Sequence, residues 1–277
     1  EVIIGTSAGA EIAALLGAGI SASAVDAATD PPVATHLSSP AAPGRLPGLP
    51  RPGWPGLGLA RAALGRRVDL LAGLAGLLPR GGGDAGWLVA LGDALANDDG
   101  WVDHSDTWLV AADARTGERI PLGRADAPPA KLGDSIAASW AIPGWFPPVA
   151  IDGRPLVDGG AVSPTSADLL LPEVANGRID EVVIVAPMSS AGGAPAHGID
   201  RIERLLRHPM TRRVDRESAA LRAAGARVVR FEPTAADLGA MGPNFMDGSR
   251  RPHVRETART SAPDLVTRHL TTLEPTP

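Results

Sequence analysis

The chain opens on Glu1-Val2-Ile3-Ile4 and runs directly into Gly5-Thr6-Ser7-Ala8-Gly9. Residues 2–4 read as a buried strand. Residues 7–19 are Ala-rich, carry Ile12, Leu15 and Leu16 on one side, and read as a helix. A G-x-S-x-G sequence between strand and helix restricts the local fold to a sharp turn with the serine at its tip. The backbone strain there pushes the hydroxyl out of the sheet. Gly5 and Gly9 lack a Cβ, so strand and helix are expected to approach closely at both positions. The helix N-terminus then lies under the reacting centre, where its partial positive charge favours a developing oxyanion. Ser7 is therefore the candidate nucleophile, held in an elbow of Gly5, Thr6, Ala8 and Gly9.

The rest of the chain sets limits on what such a serine serves. A length of 277 residues suits one large domain or two small ones, and 44% hydrophobic residues are ample for a core. The formal net charge of −5 gives no reason to expect a nucleic-acid partner. The absence of cysteine excludes disulfides, thiolate metal sites and a cysteine nucleophile. Lys131 is the sole lysine in an Ala-, Gly- and Pro-rich composition, a bias typical of high-GC coding, so the arginines carry no functional reading. No run of about 18 uninterrupted apolar residues marks a membrane span. The chain begins inside an apparent strand, without Met or a signal-like stretch, and reads as the middle of a longer protein. Export is left open on that ground; a cytoplasmic or peripheral-membrane location is expected.

Along the chain, strands alternate with helices. After the first helix comes a segment dense in proline from Asp30 to Gly58, read as extended surface. Residues 57–78 and 86–97 read as helices. Thr107 to Asp113 and Arg119 to Leu122 read as a hairpin, residues 132–140 as a helix stopped by Pro143-Gly144, and 149–151 and 155–157 as strands joined at Asp152-Gly153. A short helix at 164–171, a β-branched strand at 181–186, a long helix at 201–224, a strand at 228–231 and a final helix at 249–270 complete the pattern. The expectation is an α/β fold with a central, mostly parallel sheet flanked by helices.

A serine needs a base. Asp158 ends the apolar run Leu156-Val157 and is followed by Gly159-Gly160. The other Asp-Gly pairs, at Asp99, Asp152 and Asp247, are most simply turns. Taken together, Gly5-Thr6-Ser7-Ala8-Gly9 and Asp158-Gly159-Gly160 resemble the patatin-like phospholipase family, with its G-x-S-x-G and D-G-[AG] signatures. The segment Ala138-Ser139-Trp140-Ala141-Ile142-Pro143-Gly144-Trp145-Phe146-Pro147-Pro148-Val149 is similar to the stretch that precedes the aspartate in that family. The hairpin around Thr116-Gly117 and the strand Ile179 to Val185 also fit, and the later part most resembles actinobacterial members. The motifs cover roughly residues 1–190, in the family's order.

The resemblance implies a single patatin-like acyl-hydrolase domain over residues 1–277. Within it, residues 30–58 read as a Pro/Gly-rich surface segment that belongs to no signature of the family, and 57–97 as a helical insert or lid. It implies a Ser7–Asp158 dyad that cleaves a lipid or phospholipid ester through an acyl-enzyme, with no cofactor and no metal. Trp140, Trp145 and Phe146 line an acyl pocket on one reading and pack around the Pro143-Gly144 turn on the other. In the family, a Gly-rich loop after an upstream strand supplies oxyanion donors. The expectation is that this strand and loop are missing here and that the chain alone turns over poorly. The run at Gly81-Gly82-Gly83 reads as a linker. The helical segment 57–78, beside Trp54 and Trp87, reads either as core or as a lid that contacts a membrane peripherally. Two other classes stay open. One is a Ser-His-Asp carboxylesterase or thioesterase, for which His197, His208, His253 and His269 have the required chain order. The other is a catalytically impaired lipid-binding fragment. His36 and His104 carry no supporting pattern, and His104 reads as a loop residue rather than a metal ligand.

Overall fold

The computed structural model describes residues 1–28, 33–34, 57–64, 70–190, 200–242 and 247–271. Most of the proline-dense segment, together with His36, Trp54 and His197, lies outside the described residues. The chain divides into two compact units, Glu1–Ser166 and Ala167–Pro277.

The first unit is built on a five-stranded sheet of β1 (Ile3–Thr6), β2 (Thr107–Asp113), β3 (Arg119–Leu122), β4 (Val149–Ile151) and β5 (Arg154–Asp158). Its described helices are α1 (Ala8–Gly17), α2 (Ala22–Ala27), α3 (Leu57–Leu64), α4 (Leu70–Ala75), α5 (Gly86–Leu95) and α6 (Leu132–Ser139). The α/β class holds, but the sheet is mixed rather than mostly parallel. Only β1 runs parallel to β2; β3 and β5 pair antiparallel with β2, and β4 pairs antiparallel with β5. For the β2–β3 and β4–β5 pairs the reason is local. The turns at residues 114–118 and at Asp152-Gly153 are too short for a crossover, so each folds its strand straight back. Asp152 and Gly153 both take positive φ, 50° and 68°, as a tight hairpin turn requires.

Strand β2 is buried along its whole length. Leu109 faces a core with Ala10, Ala13 and Leu15 of α1, Leu88 and Leu91 of α5, and Leu132 and Ile136 of α6. Ala112, on the alternate face, packs with Val157 of β5 and Leu59 of α3. Helices thus cover both faces of the strand that organises the unit. The register on β2 then decides where the signature residues go. Thr6 pairs with Val110, and Asp158 pairs with Ala111. Because β3 occupies the opposite edge of β2 over Leu109 to Ala112, β1 and β5 share one edge. They meet tip to tip at Val110 and Ala111.

In the second unit, β6 (Glu181–Val185) and β7 (Arg227–Phe231) form a parallel pair. They are connected through α8 (Asp200–Ala223), while α7 (Leu171–Ala175), α9 (Ala235–Met241) and α10 (Arg251–Thr271) complete the unit. Glu217 of α8, only 2% exposed, accepts the Ala167 N–H and pairs with Arg213. Such pairing is what permits a carboxylate inside a core.

Candidate active site

The tip-to-tip meeting of β1 and β5 brings Ser7 and Asp158, 151 positions apart in sequence, into direct contact. Ser7 Oγ donates to Asp158 Oδ2 at 2.7 Å. Ser7 sits at φ 57°, ψ −125°, a conformation costly for any residue with a Cβ, and caps no N–H of α1 with its side chain. The hydroxyl is turned instead toward the aspartate. The elbow also depends on Gly5, where a Cβ would lie 2.2 Å from the Gly9 carbonyl oxygen. The expected symmetry of the two glycines does not hold. A Cβ at Gly9 meets nothing within 4 Å, because Gly9 opens to solvent on the outer side of the first helical turn.

Asp158 is fixed at both oxygens. Oδ1 accepts the Gly160 N–H at 2.7 Å and Oδ2 holds Ser7. A Cβ on Gly160 would lie 3.0 Å from Oδ1, and one on Gly159 would lie 2.6 Å from the Val110 carbonyl oxygen. The two glycines therefore let the chain turn tightly beneath its own carboxylate. Asp158 is 5% exposed. Burial raises its pKa to about 6, against the smaller opposing pull of the bonds from Ser7 and Gly160. A carboxylate poised there is a far better proton acceptor than one at the usual value.

The segment that precedes the aspartate does more than its sequence suggested. Ser139, at the end of α6, is fully buried. Its hydroxyl donates to the Val110 carbonyl at 2.7 Å and accepts the Ser7 N–H at 3.0 Å. Two residues on, the Ala141 carbonyl accepts the Asp158 N–H at 3.0 Å. One turn therefore grips both halves of the Ser7–Asp158 pair through their backbones. Ser139 was visible in the sequence only as a small residue within a motif; its partners come from the elbow after β1 and from β2. Trp140, between these anchors, packs edge-on against Trp87 at 5.6 Å and Phe146 at 6.3 Å. Phe146 is buried, whereas Trp140 and Trp145 are half-buried. The Gly81-Gly82-Gly83 run is a loop, as read, but it clasps this segment. Gly83 N–H donates to the Trp145 carbonyl at 2.8 Å, and a Cβ at Gly81 would collide with the Trp145–Phe146 backbone.

Among the described residues no histidine hydrogen-bonds to Ser7 or Asp158. His104 faces Thr107 Oγ1 at 3.1 Å from a loop, and His208 and His253 are exposed on helices. His269 lies in α10. No group of three or more His, Asp or Glu is placed to hold a metal among the described residues. Nor is any of their helices long and apolar enough to cross a membrane.

The family model for patatin-like phospholipases matches residues 1–171. The chain belongs to the patatin-like phospholipase family. The match spans both signature motifs and the α6–β5 region between them, and extends just beyond the first compact unit. No individual curated protein matches the chain. The family is in general one of hydrolases that act on lipid acyl esters.

Proposed function

We propose that the protein cleaves a lipid acyl ester, as a phospholipase A or lysophospholipase, with Ser7 as nucleophile and Asp158 as its direct general base. The observation that carries this reading is the 2.7 Å bond from Ser7 Oγ to a buried carboxylate with a pKa near 6. In the first step Ser7 Oγ attacks the ester carbonyl carbon as its proton passes to Asp158 Oδ2. The tetrahedral intermediate collapses to an acyl-serine, and the leaving alcohol takes the proton back from Asp158. Asp158 then removes a proton from water, which attacks the acyl-serine; the fatty acid leaves and Ser7 Oγ regains its proton. Negative charge on the carbonyl oxygen develops beside the N-terminus of α1. There the Ala8 N–H and the helix dipole favour it. The Ser7 N–H serves Ser139 instead. Trp140 and Trp145, half-buried beside the pair, are assigned to the walls of the acyl site, with Phe146 as the packing behind them.

Hydrolysis of p-nitrophenyl butyrate and of phospholipid vesicles tests the reading in three forms of the protein: wild type, Ser7→Ala and Asp158→Asn. Turnover by the wild type and its loss by about 10⁴-fold or more in both variants is the expected result. An active Asp158→Asn enzyme would remove the dyad from consideration.

A further inference from the structure

We propose that α3, α4 and the turn after α4 form a docking surface for an anionic lipid bilayer, through Leu64, Leu74 and Leu77 with Arg61 and Arg80. This deepens the lipid-ester reading by naming the surface that would bring the site to its substrate. The three leucines are 87%, 52% and 45% exposed. Arg61 lies three residues before Leu64, and Arg80 three residues after Leu77; both arginines are exposed. Arg61 and Leu64 stand at helical spacing on α3, whereas Leu77 and Arg80 lie in the turn and loop after α4. Exposed leucines with arginines beside them in sequence suit a surface that buries apolar groups among acyl chains while its cations meet phosphate. Leucines of a folded core would face inward.

Charge complementarity selects the occupant. Residues 57–83 contain Arg61, Arg66, Arg67 and Arg80 against the single acid Asp69. Four positive charges and one negative give +3, within a chain of net charge −5. The stretch is thus locally cationic within an acidic chain, and an anionic membrane attracts such a stretch. Position supports the same occupant. Leu59 of α3 packs on Val157, one residue before Asp158, and α4 lies beside the Gly159–Ala161 turn. A bilayer engaged by this pair of helices meets the protein close to Ser7 and Asp158. The contrast with α1 is instructive. Ile12 and Leu16 are also exposed there, at 45% and 37%, but residues 1–28 contain no Arg or Lys and Glu11 adjoins Ile12.

The test is co-sedimentation of the full chain with phosphatidylglycerol vesicles and with phosphatidylcholine vesicles at low and high salt. The wild type is expected to bind phosphatidylglycerol more tightly, with the difference lost in high salt. The double variant Leu74→Ser/Leu77→Ser should weaken binding to both vesicles by about tenfold or more. Arg61→Ser and Arg80→Ser should each weaken phosphatidylglycerol binding about fivefold and leave phosphatidylcholine binding alone. Leu64→Ser, at the most exposed of the three leucines, keeps the test decisive should the double variant fold poorly. Ile12→Ser should bind as the wild type does. Wild-type protein that binds neither vesicle, leucine variants that bind undiminished, or an equal loss in Ile12→Ser would each overturn the proposal. Ester turnover is read separately: vesicle binding without any hydrolysis would count against the acyl-hydrolase reading and leave the docking surface standing.

Discussion

At the scale of single residues, the Ser7–Asp158 pair is held at a cost in stability. Ser7 sits in a strained conformation and Asp158 carries a buried charge. The upward shift of Asp158 from 3.8 to about 6 corresponds to about 3 kcal/mol of destabilisation when the group is ionised. Asp158→Asn should therefore abolish turnover and yet raise thermal stability at pH 7, by up to about 3 kcal/mol. Equal or lower stability of the variant by calorimetry would contradict this. Ser139 should behave in the opposite way. Ser139→Ala leaves the Ser7 N–H and the Val110 carbonyl without their partner, at a cost of about 1–3 kcal/mol. With Ser7 as the proposed nucleophile, the loosened elbow should lower kcat about tenfold or more with little change in KM, because the Ser139 hydroxyl holds Ser7 rather than the substrate. Steady-state kinetics beside thermal unfolding separates the two effects.

At the scale of elements, β2 acts as the ruler. Its register with β1 and β5 places two strand tips on one edge, and the α6 turn holds both by their backbones. The contact between β1 and α1 is one-sided, and this gives a prediction that the motif alone does not. Gly5→Ala forces a Cβ into the Gly9 backbone and should disrupt folding, whereas Gly9→Ala meets nothing. The latter should fold as well as the wild type or up to about 1 kcal/mol better, since alanine suits a helix. Unfolding of both variants in urea checks the pair. In the pattern G-x-S-x-G the two glycines look equivalent; their difference arises from which one faces the other element.

At the scale of the whole molecule, pH reports on Asp158 twice. On the proposed mechanism Asp158 acts as the ionised base, so kcat/KM should fall as pH drops through about 6. Stability runs the other way. The native pKa exceeds the unfolded value, so the native state holds the proton more tightly. The stability linked to this group is complete below about pH 3.8 and is lost as pH rises through 6. The gain in stability of Asp158→Asn over wild type should therefore grow between pH 4 and pH 7, and unfolding at a series of pH values tests it. The sequence by itself determined the elbow, the carboxylate after a β-strand, the α/β class and the order of nearly all elements, because each is written in local periodicity and turn chemistry. Ser7 and Asp158 could be named without coordinates since their neighbours in sequence are what make them distinctive. Only the tertiary structure decided that the sheet is mixed, that β1 and β5 meet end to end, and that Ser139 ties Ser7 to the Val110 carbonyl while Ala141 holds Asp158. It also decided that Gly81 and Gly83 clasp Trp145 and Phe146 rather than merely link helices. These follow from strand register and from contacts between residues far apart in the chain, which no local pattern encodes.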